Sequence, residues 1–378
     1  MISGLYLHVP YCTQKCYYCD FYSRSDTSKL CNYVMALCKE IEIVGNRLKD
    51  AIQPETIFIG GGTPSILTPR QMNYIIKALD ANIKLSDVKE FTIESNPGTL
   101  SEEKLNCYLE LGINRLSIGV QSLDDAELRF LQRIHTAEQA LDNIALARRL
   151  GFANINADVI FSLPGQQWNT FENTLDRLLD CGVDHISAYS LIYEENTGLY
   201  NALINGEVAK NDEDEEADIY IKMIEKFANT GHLQYEISNF ATENHKCLHN
   251  LNYWRRKEYL GFGPSAHSYV NGVRYGNIAD TEQYIDSISK AELPICNQEV
   301  LTREEIIEEI FYLGLRAEGL NCRSLSEQYG IDLLSDKAEI INKLIDEKKA
   351  YLDDEILKLH PAGYAICDYL AVILSENY

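Results

Sequence analysis

Positive charge is scarce in this 378-residue chain: 34 lysines and arginines stand against 57 aspartates and glutamates, a formal net charge of −23. So acidic a surface excludes general nucleic-acid binding, which needs a strong basic footprint. It also excludes docking on anionic lipid through charge alone. Any anionic ligand would need a local cationic pocket of its own. A run of about 18 apolar residues is also missing, so no membrane-spanning helix is expected. The opening stretch "MISGLYLHVPYC" has no basic region followed by an apolar one, which predicts the absence of a secretory signal. Eleven cysteines without such a signal point to a cytoplasmic protein whose thiols stay reduced, as ligands, nucleophiles or core residues. Cys31 and Cys38, two helical turns apart in "LCNYVMALCKEI", read as core.

What the chain does have is alternation of strand and helix. Strand-like runs at 5–9, 56–60, 90–95, 115–120, 154–161 and 185–192 are separated by amphipathic segments such as "PRQMNYIIKALDA" and "NTFENTLDRLLDCG". The alternation implies βαβ units and a parallel α/β sheet, barrel-like or open. Special residues gather near the ends of these runs. Cys12, Cys16 and Cys19 follow the first, "GGGTPS" (60–65) the second, and Glu94, Gln121, Asp158 and Tyr189 lie in or at the ends of the others. Parallel α/β folds place ligands at carboxyl strand ends, so one site built from all six is expected. The alternating pattern defines a first domain, 1–235. Residues 236–300, rich in aromatics, His, Asn and Gly without a clear period, read as a connecting region. A small C-terminal domain, 301–378, is expected to be mostly helical and winged-helix-like, opened by a capping box from Thr302 and Glu305.

Three cysteines spaced C-x3-C-x2-C over 12–19 are one ligand short of a closed four-coordinate metal site. Two readings fit. Three thiolates can hold three irons of a [4Fe–4S] cluster and leave the fourth open to chelate an amine and a carboxylate. Alternatively, His8 completes a structural Cys3His zinc site.

C-x3-C-x2-C after a first strand, in the setting "YLHVPYCTQKCYYCDF", resembles the radical S-adenosylmethionine superfamily, and within it the coproporphyrinogen III oxidase-like branch of HemN/HemW-like proteins. "GGGTPS", "ESNP", "GVQS", "RIHT", "DVIFSLPGQ", "HNLNYW" and "LGFGPSAHSY" follow in the order of that branch, from residue 6 to about 269. The resemblance implies a partial (β/α)6 TIM-like barrel with a [4Fe–4S] cluster on Cys12, Cys16 and Cys19. It also implies S-adenosylmethionine held by Tyr6, Tyr18, Gly62, Thr63, Glu94, Gln121, Arg133 and Asp158. The dehydrogenases of this branch usually carry a fourth cysteine two residues after the third and a longer N-terminal extension. Here Asp20 and Phe21 follow Cys19, and eleven residues precede Cys12. Both features resemble the HemW-like members, which implies a haem chaperone passing haem to an apo-haemoprotein recipient, with His249 of "HNLNYW" as haem ligand and a homodimer linked to the cluster. The alternative is an oxygen-independent coproporphyrinogen III dehydrogenase or another radical enzyme acting on a tetrapyrrole. Two smaller expectations attach to the motif. His245, Cys247 and His249 could form a second metal site, and Arg255 or Arg256 of the adjoining "RRK" could pair with a haem propionate.

Overall fold

The computed structural model describes residues 1–48 and 51–378. Six parallel strands lie side by side in chain order: β1 (Ile2–Val9), β2 (Ile52–Gly61), β3 (Glu90–Ser95), β4 (Arg115–Gln121), β5 (Asn154–Phe161) and β6 (His185–Ser190). Helices Leu30–Arg47, Pro69–Asn82, Glu102–Glu110, Ala137–Leu150 and Trp168–Asp180 lie between successive strands. Local signals start and stop them. Thr68 with Gln71 and Thr136 with Gln139 form capping boxes, and Gly151, at φ +110°, closes the helix Ala137–Leu150 in the left-handed conformation. The arrangement is the partial (β/α)6 barrel expected.

The strands are buried on both faces. Leu5, Leu7, Ile57, Ile59, Ile93, Leu116, Ile118, Ile155 and Val159 have no exposed surface, and each such side chain contributes about 1.5–3 kcal/mol on burial. The alternate residues are largely polar and meet one another: Tyr6 stacks on Phe58 (6.2 Å), Ser117 donates to Asp158, and Ser187 donates to Asn156. Period-2 geometry therefore puts an apolar layer under the helices and a polar one inside the barrel.

The segment read as a connecting region does not stand by itself. Residues 247–252 and 257–299 belong to the barrel unit, and residues 212–246, 253–256 and 300–378 form the second compact unit. Strand Tyr259–Phe262 pairs in parallel with β1, Gly4 opposite Tyr259, and antiparallel strands His267–Val270 and Val273–Asn277 follow it. Strands of four or five residues are too short to show a period. Glu40, on helix Leu30–Arg47, ties this segment down. Its buried carboxylate accepts from the Gly263 N–H (2.7 Å), the Tyr284 hydroxyl (2.7 Å) and Asn277 Nδ2 (2.8 Å). On the same helix the buried stripe runs through Tyr33, Leu37, Ile41 and Val44. Cys31 and Cys38 fall off that stripe, so Cys31 is exposed and Cys38 only half-buried, which corrects their reading as core.

In the second unit, helix Arg303–Arg316 starts at the capping box of Thr302 and Glu305. After it come Leu320–Asn321, helices Cys322–Tyr329, Leu333–Asp336 (a single turn) and Ala338–Asp346, and the hairpin Ala350–Asp353/Ile356–Leu359. Helix, strand, a run of helices and a hairpin follow the order of a winged-helix-like unit. Its core gathers Ile307, Phe311, Leu315, Leu325, Leu357 and Leu370. Among the described residues, no helix is long and apolar enough to cross a membrane.

Candidate functional site

The loop after β1 is pinned at both ends. Arg24 N–H donates to Pro10 O (2.9 Å) and Cys12 N–H donates to Arg24 O (3.0 Å), closing residues 12–23 into one loop that carries all three cysteines. The "GGGT" turn after β2 packs against it, with Gly62 N–H on Val9 O (2.8 Å) and Thr63 N–H on Tyr11 O (2.7 Å). A Cβ at Gly62 would lie 2.7 Å from Tyr11 O and 3.0 Å from Cys12 Sγ, so only glycine fits there. Two side chains point donors at the thiols: Thr63 Oγ1 to Cys12 Sγ (3.5 Å) and Arg133 Nη1 to Cys16 Sγ (3.2 Å).

This donor set suits a cluster better than a zinc ion. His8, the fourth ligand of the zinc reading, is engaged elsewhere: Nδ1 with the Tyr6 hydroxyl (3.0 Å) and Nε2 with Tyr22 O (2.9 Å). Burial pushes the Cys19 thiol up to about 11, a proton that ligation by a metal displaces. A cluster takes one iron per thiolate, and hydrogen bonds to the sulfurs tune it. Thr63 and Arg133 stand where such bonds are needed.

Beside the cysteines lie the strand-end carboxylates. Glu94 Oε2 accepts the Gly61 N–H (3.1 Å), and burial, then the charge of Asp158, pushes Glu94 up to about 8. Burial raises Asp158 as well, opposed by hydrogen bonds from Asn156, Ser187 and Ser117. Arg133 Nη2 donates to Asn96 Oδ1 (2.6 Å) and Gly119 O (2.7 Å). Gln121 sits at a bulge in β4 with φ +68°, which turns its side chain back toward Gly119. Half-buried Tyr18 lies within electrostatic reach of Arg133, Cys16 and Asp158, and Tyr6 of Glu94. Tyr6, Tyr18, Gly62, Thr63, Glu94, Gln121, Arg133 and Asp158 are thus linked to one another and to the cysteines. Sequence reasoning missed Asn96, Ser117, Asn156 and Ser187. The one signal for Asn156 was its place two residues before Asp158, hence on the same strand face.

His249 lies elsewhere. Helix Leu248–Trp254 covers the amino ends of β1–β3, opposite the cysteines. Glu90 of β3 accepts the N–H groups of Leu248 (2.8 Å) and His249 (2.9 Å). His249 Nδ1 bonds Thr56 Oγ1 (2.8 Å), which also takes Asn252 Nδ2 (3.0 Å), and the ring stacks on Phe58 at 5.2 Å. The residue is 1 % exposed, and burial followed by the charge of Arg115 pushes the imidazole down to about 3, so it is neutral. No haem iron reaches that ring until the helix moves. The other expectations for this motif are corrected. His245 bonds Thr242 (2.9 Å) and Cys247 bonds Glu90 (3.5 Å), and among the described residues no three His, Cys, Asp or Glu side chains group to hold one metal ion. Arg255 is bidentate on Glu318 (2.7 and 2.6 Å) and Arg256 is on Glu309 (2.6 Å), so carboxylates of the protein already occupy the guanidinium groups meant for a propionate.

Residues 6–178 match the Radical SAM superfamily and residues 301–366 the HemN C-terminal domain. The chain is 38 % identical over 337 residues to a protein named heme chaperone HemW from Bacillus subtilis, covering 88 % of each. It is 33 % identical over 366 residues to one of the same name from Lactococcus lactis, covering 96 % of this chain and 95 % of that one. Its fold is similar to that of the coproporphyrinogen III oxidase HemN from Escherichia coli, with TM-score 0.84 at 21 % identity, covering 100 % of this chain and 91 % of that one. The ordered motifs, the six-stranded barrel with its cysteine loop and these matches agree: the chain belongs to the radical SAM superfamily, in its HemN-like family beside HemW.

Proposed function

We propose that this protein is a haem chaperone: it binds haem and delivers it to an apo-haemoprotein on a scaffold carrying a [4Fe–4S] cluster and S-adenosylmethionine. The observation that carries the reading is identity to named heme chaperones across nearly the whole length of both chains. The site supports it. Cys12, Cys16 and Cys19 would hold the cluster, with Thr63 and Arg133 bonding its sulfurs. Bound there, the cluster supplies an iron with an open position for the amine and carboxylate of S-adenosylmethionine. Glu94 and Asp158 offer carboxylates to the cofactor's amine and ribose hydroxyls. Gln121, Arg133, Gly62, Thr63, Tyr6 and Tyr18 complete the surround.

His249 is our assignment for the haem ligand. A neutral imidazole is the form that ligates iron, and ligation requires helix Leu248–Trp254 to leave Thr56 and Glu90. A homodimer linked to the cluster belongs to the same reading.

The test is an anaerobic haem titration of cluster-reconstituted protein, followed in the Soret band beside His249→Ala. Saturable one-to-one binding that weakens sharply in the variant supports the chaperone and its ligand. Saturable binding indifferent to His249 would remove the ligand assignment and keep the chaperone. Absence of saturable binding together with turnover of coproporphyrinogen III would replace the chaperone by an enzyme.

A further inference from the structure

Asn156 is 1 % exposed and central to a hydrogen-bond network inside the barrel. Its amide is fully used. Nδ2 donates to Asp158 Oδ1 (2.7 Å) and to Ser117 Oγ (2.7 Å). Oδ1 accepts from His185 Nδ1 (2.6 Å) and Ser187 Oγ (3.1 Å). Ser117 Oγ in turn donates to Asp158 Oδ2 (3.1 Å). The pattern has one consistent assignment. The amide oxygen must face His185 and Ser187, which fixes the proton of His185 on Nδ1, and the amide nitrogen must face Asp158. A flipped amide would set its oxygen against the Asp158 carboxylate, and that contact is what excludes it, since the other His185 tautomer could accept from the amide nitrogen. Three strands, β4, β5 and β6, thus hold the Asp158 carboxylate: Asn156 donates to one oxygen, Ser117 to the other, and Ser187 also lies in hydrogen-bond reach of it.

Asp158 is otherwise free to fail in two ways. It could rotate away from the mouth of the barrel, or it could yield to Glu94, a half-buried carboxylate within electrostatic reach of it. The Asn156 amide opposes both. It is a neutral donor that locks the rotamer and favours the anionic form without adding a charge.

We propose that Asn156 is a positioning residue for the cofactor site: it acts through Asp158, presenting that carboxylate in a fixed orientation to a ligand bearing an ammonium or ribose hydroxyls. This rests on the reading of Asp158 as an S-adenosylmethionine contact. A conservative-looking change is then the most damaging. Asn156→Asp replaces a donor 2.7 Å from Asp158 with a second carboxylate.

The experiment measures S-adenosylmethionine binding by anaerobic equilibrium dialysis on cluster-reconstituted protein. It compares wild type, Asn156→Asp, Asn156→Ser, Asp158→Asn and the double variant Asn156→Ser/Asp158→Asn, with iron and sulfide content and Tm recorded for each. Cluster content should stay at the wild-type level, because no Asn156 contact reaches a cysteine. Asn156→Asp should weaken binding by about tenfold or more, the scale seen when a partner behind a ligating group is lost. The double variant should bind no worse than Asp158→Asn alone, since a residue acting through Asp158 has nothing left to position. A merely structural role would give losses that multiply. Multiplying losses, or variants that bind like wild type, overturn the proposal. Wild-type protein that carries its cluster yet binds no S-adenosylmethionine overturns instead the cofactor reading beneath it. If Asn156→Asp does not fold, Asn156→Ser, which removes the donor without adding a charge, carries the test in its cycle with Asp158→Asn.

Discussion

Glu40 makes the stability of the barrel unit depend on pH in a direction opposite to that of an ordinary salt-bridged acid. Its carboxyl is enclosed by Gly263, Asn277 and Tyr284, and burial pushes it up to about 7 despite their hydrogen bonds. An unfolded glutamate titrates near 4.3. Between these values the folded state holds the proton and the unfolded state does not, so stability falls as pH rises through the window and is fully lost above the folded value. From pH 5 to 8.5 the contribution lost is about 2–3 kcal/mol. Glu40→Gln removes the titration. It also sets its amide nitrogen against Asn277 Nδ2, a mismatch of donors worth about 1–3 kcal/mol that does not vary with pH. The assay is Tm against pH for both proteins between 5 and 8.5. The variant starts less stable at pH 5 and gains on wild type by about 4 °C over the range. Other raised carboxyls, Glu94 and Glu236, are present in both proteins and cancel in the difference. Parallel curves would show that Glu40 is ionised in the folded protein and refute the reasoning.

Gly62→Ala should abolish cluster incorporation, while Gly98→Ala, strained at φ +85° but with nothing within 4 Å of the added carbon, should lose some stability and retain the cluster; iron and sulfide analysis after reconstitution separates them. Arg133→Gln removes a cationic donor from Cys16 Sγ, so an EPR-monitored redox titration should show the cluster potential shifted downward, and an unshifted potential would mean the contact is absent in the loaded protein. Arg256→Glu breaks a pair whose partners are 16 % and 15 % exposed, so it should destabilise the second unit by about 3–5 kcal/mol and leave haem affinity unchanged; a large loss of affinity would restore the propionate role. Phe311→Ala, which empties a fully buried site in that unit's core, should cost about 3–5 kcal/mol in urea unfolding.

The local features of this chain were legible because they are written in neighbouring residues. Strand runs alternating with amphipathic helices gave the six βα units in order, the spacing of Cys12, Cys16 and Cys19 placed three ligands on one loop, and Thr302 with Glu305 marked the start of helix Arg303–Arg316. The segment 257–299 was not legible, because its strands are too short to show a period and take their place only by pairing with β1. Tertiary structure alone decided which polar groups meet. His8 turns to Tyr6 and Tyr22 rather than to the cysteines, and Arg255 and Arg256 are taken by Glu318 and Glu309, more than fifty positions away in sequence. His249, read as a ligand from its motif, is folded against Thr56 and Phe58, contacts that no motif announces. The same holds for Asn156, a residue with no motif, which becomes the support of Asp158 only when β4, β5 and β6 close around it. Periodicity and spacing are properties of adjacent residues, whereas the partner of a buried polar group is chosen by desolvation: once water is excluded, each donor and acceptor must be met by whatever the fold brings opposite it.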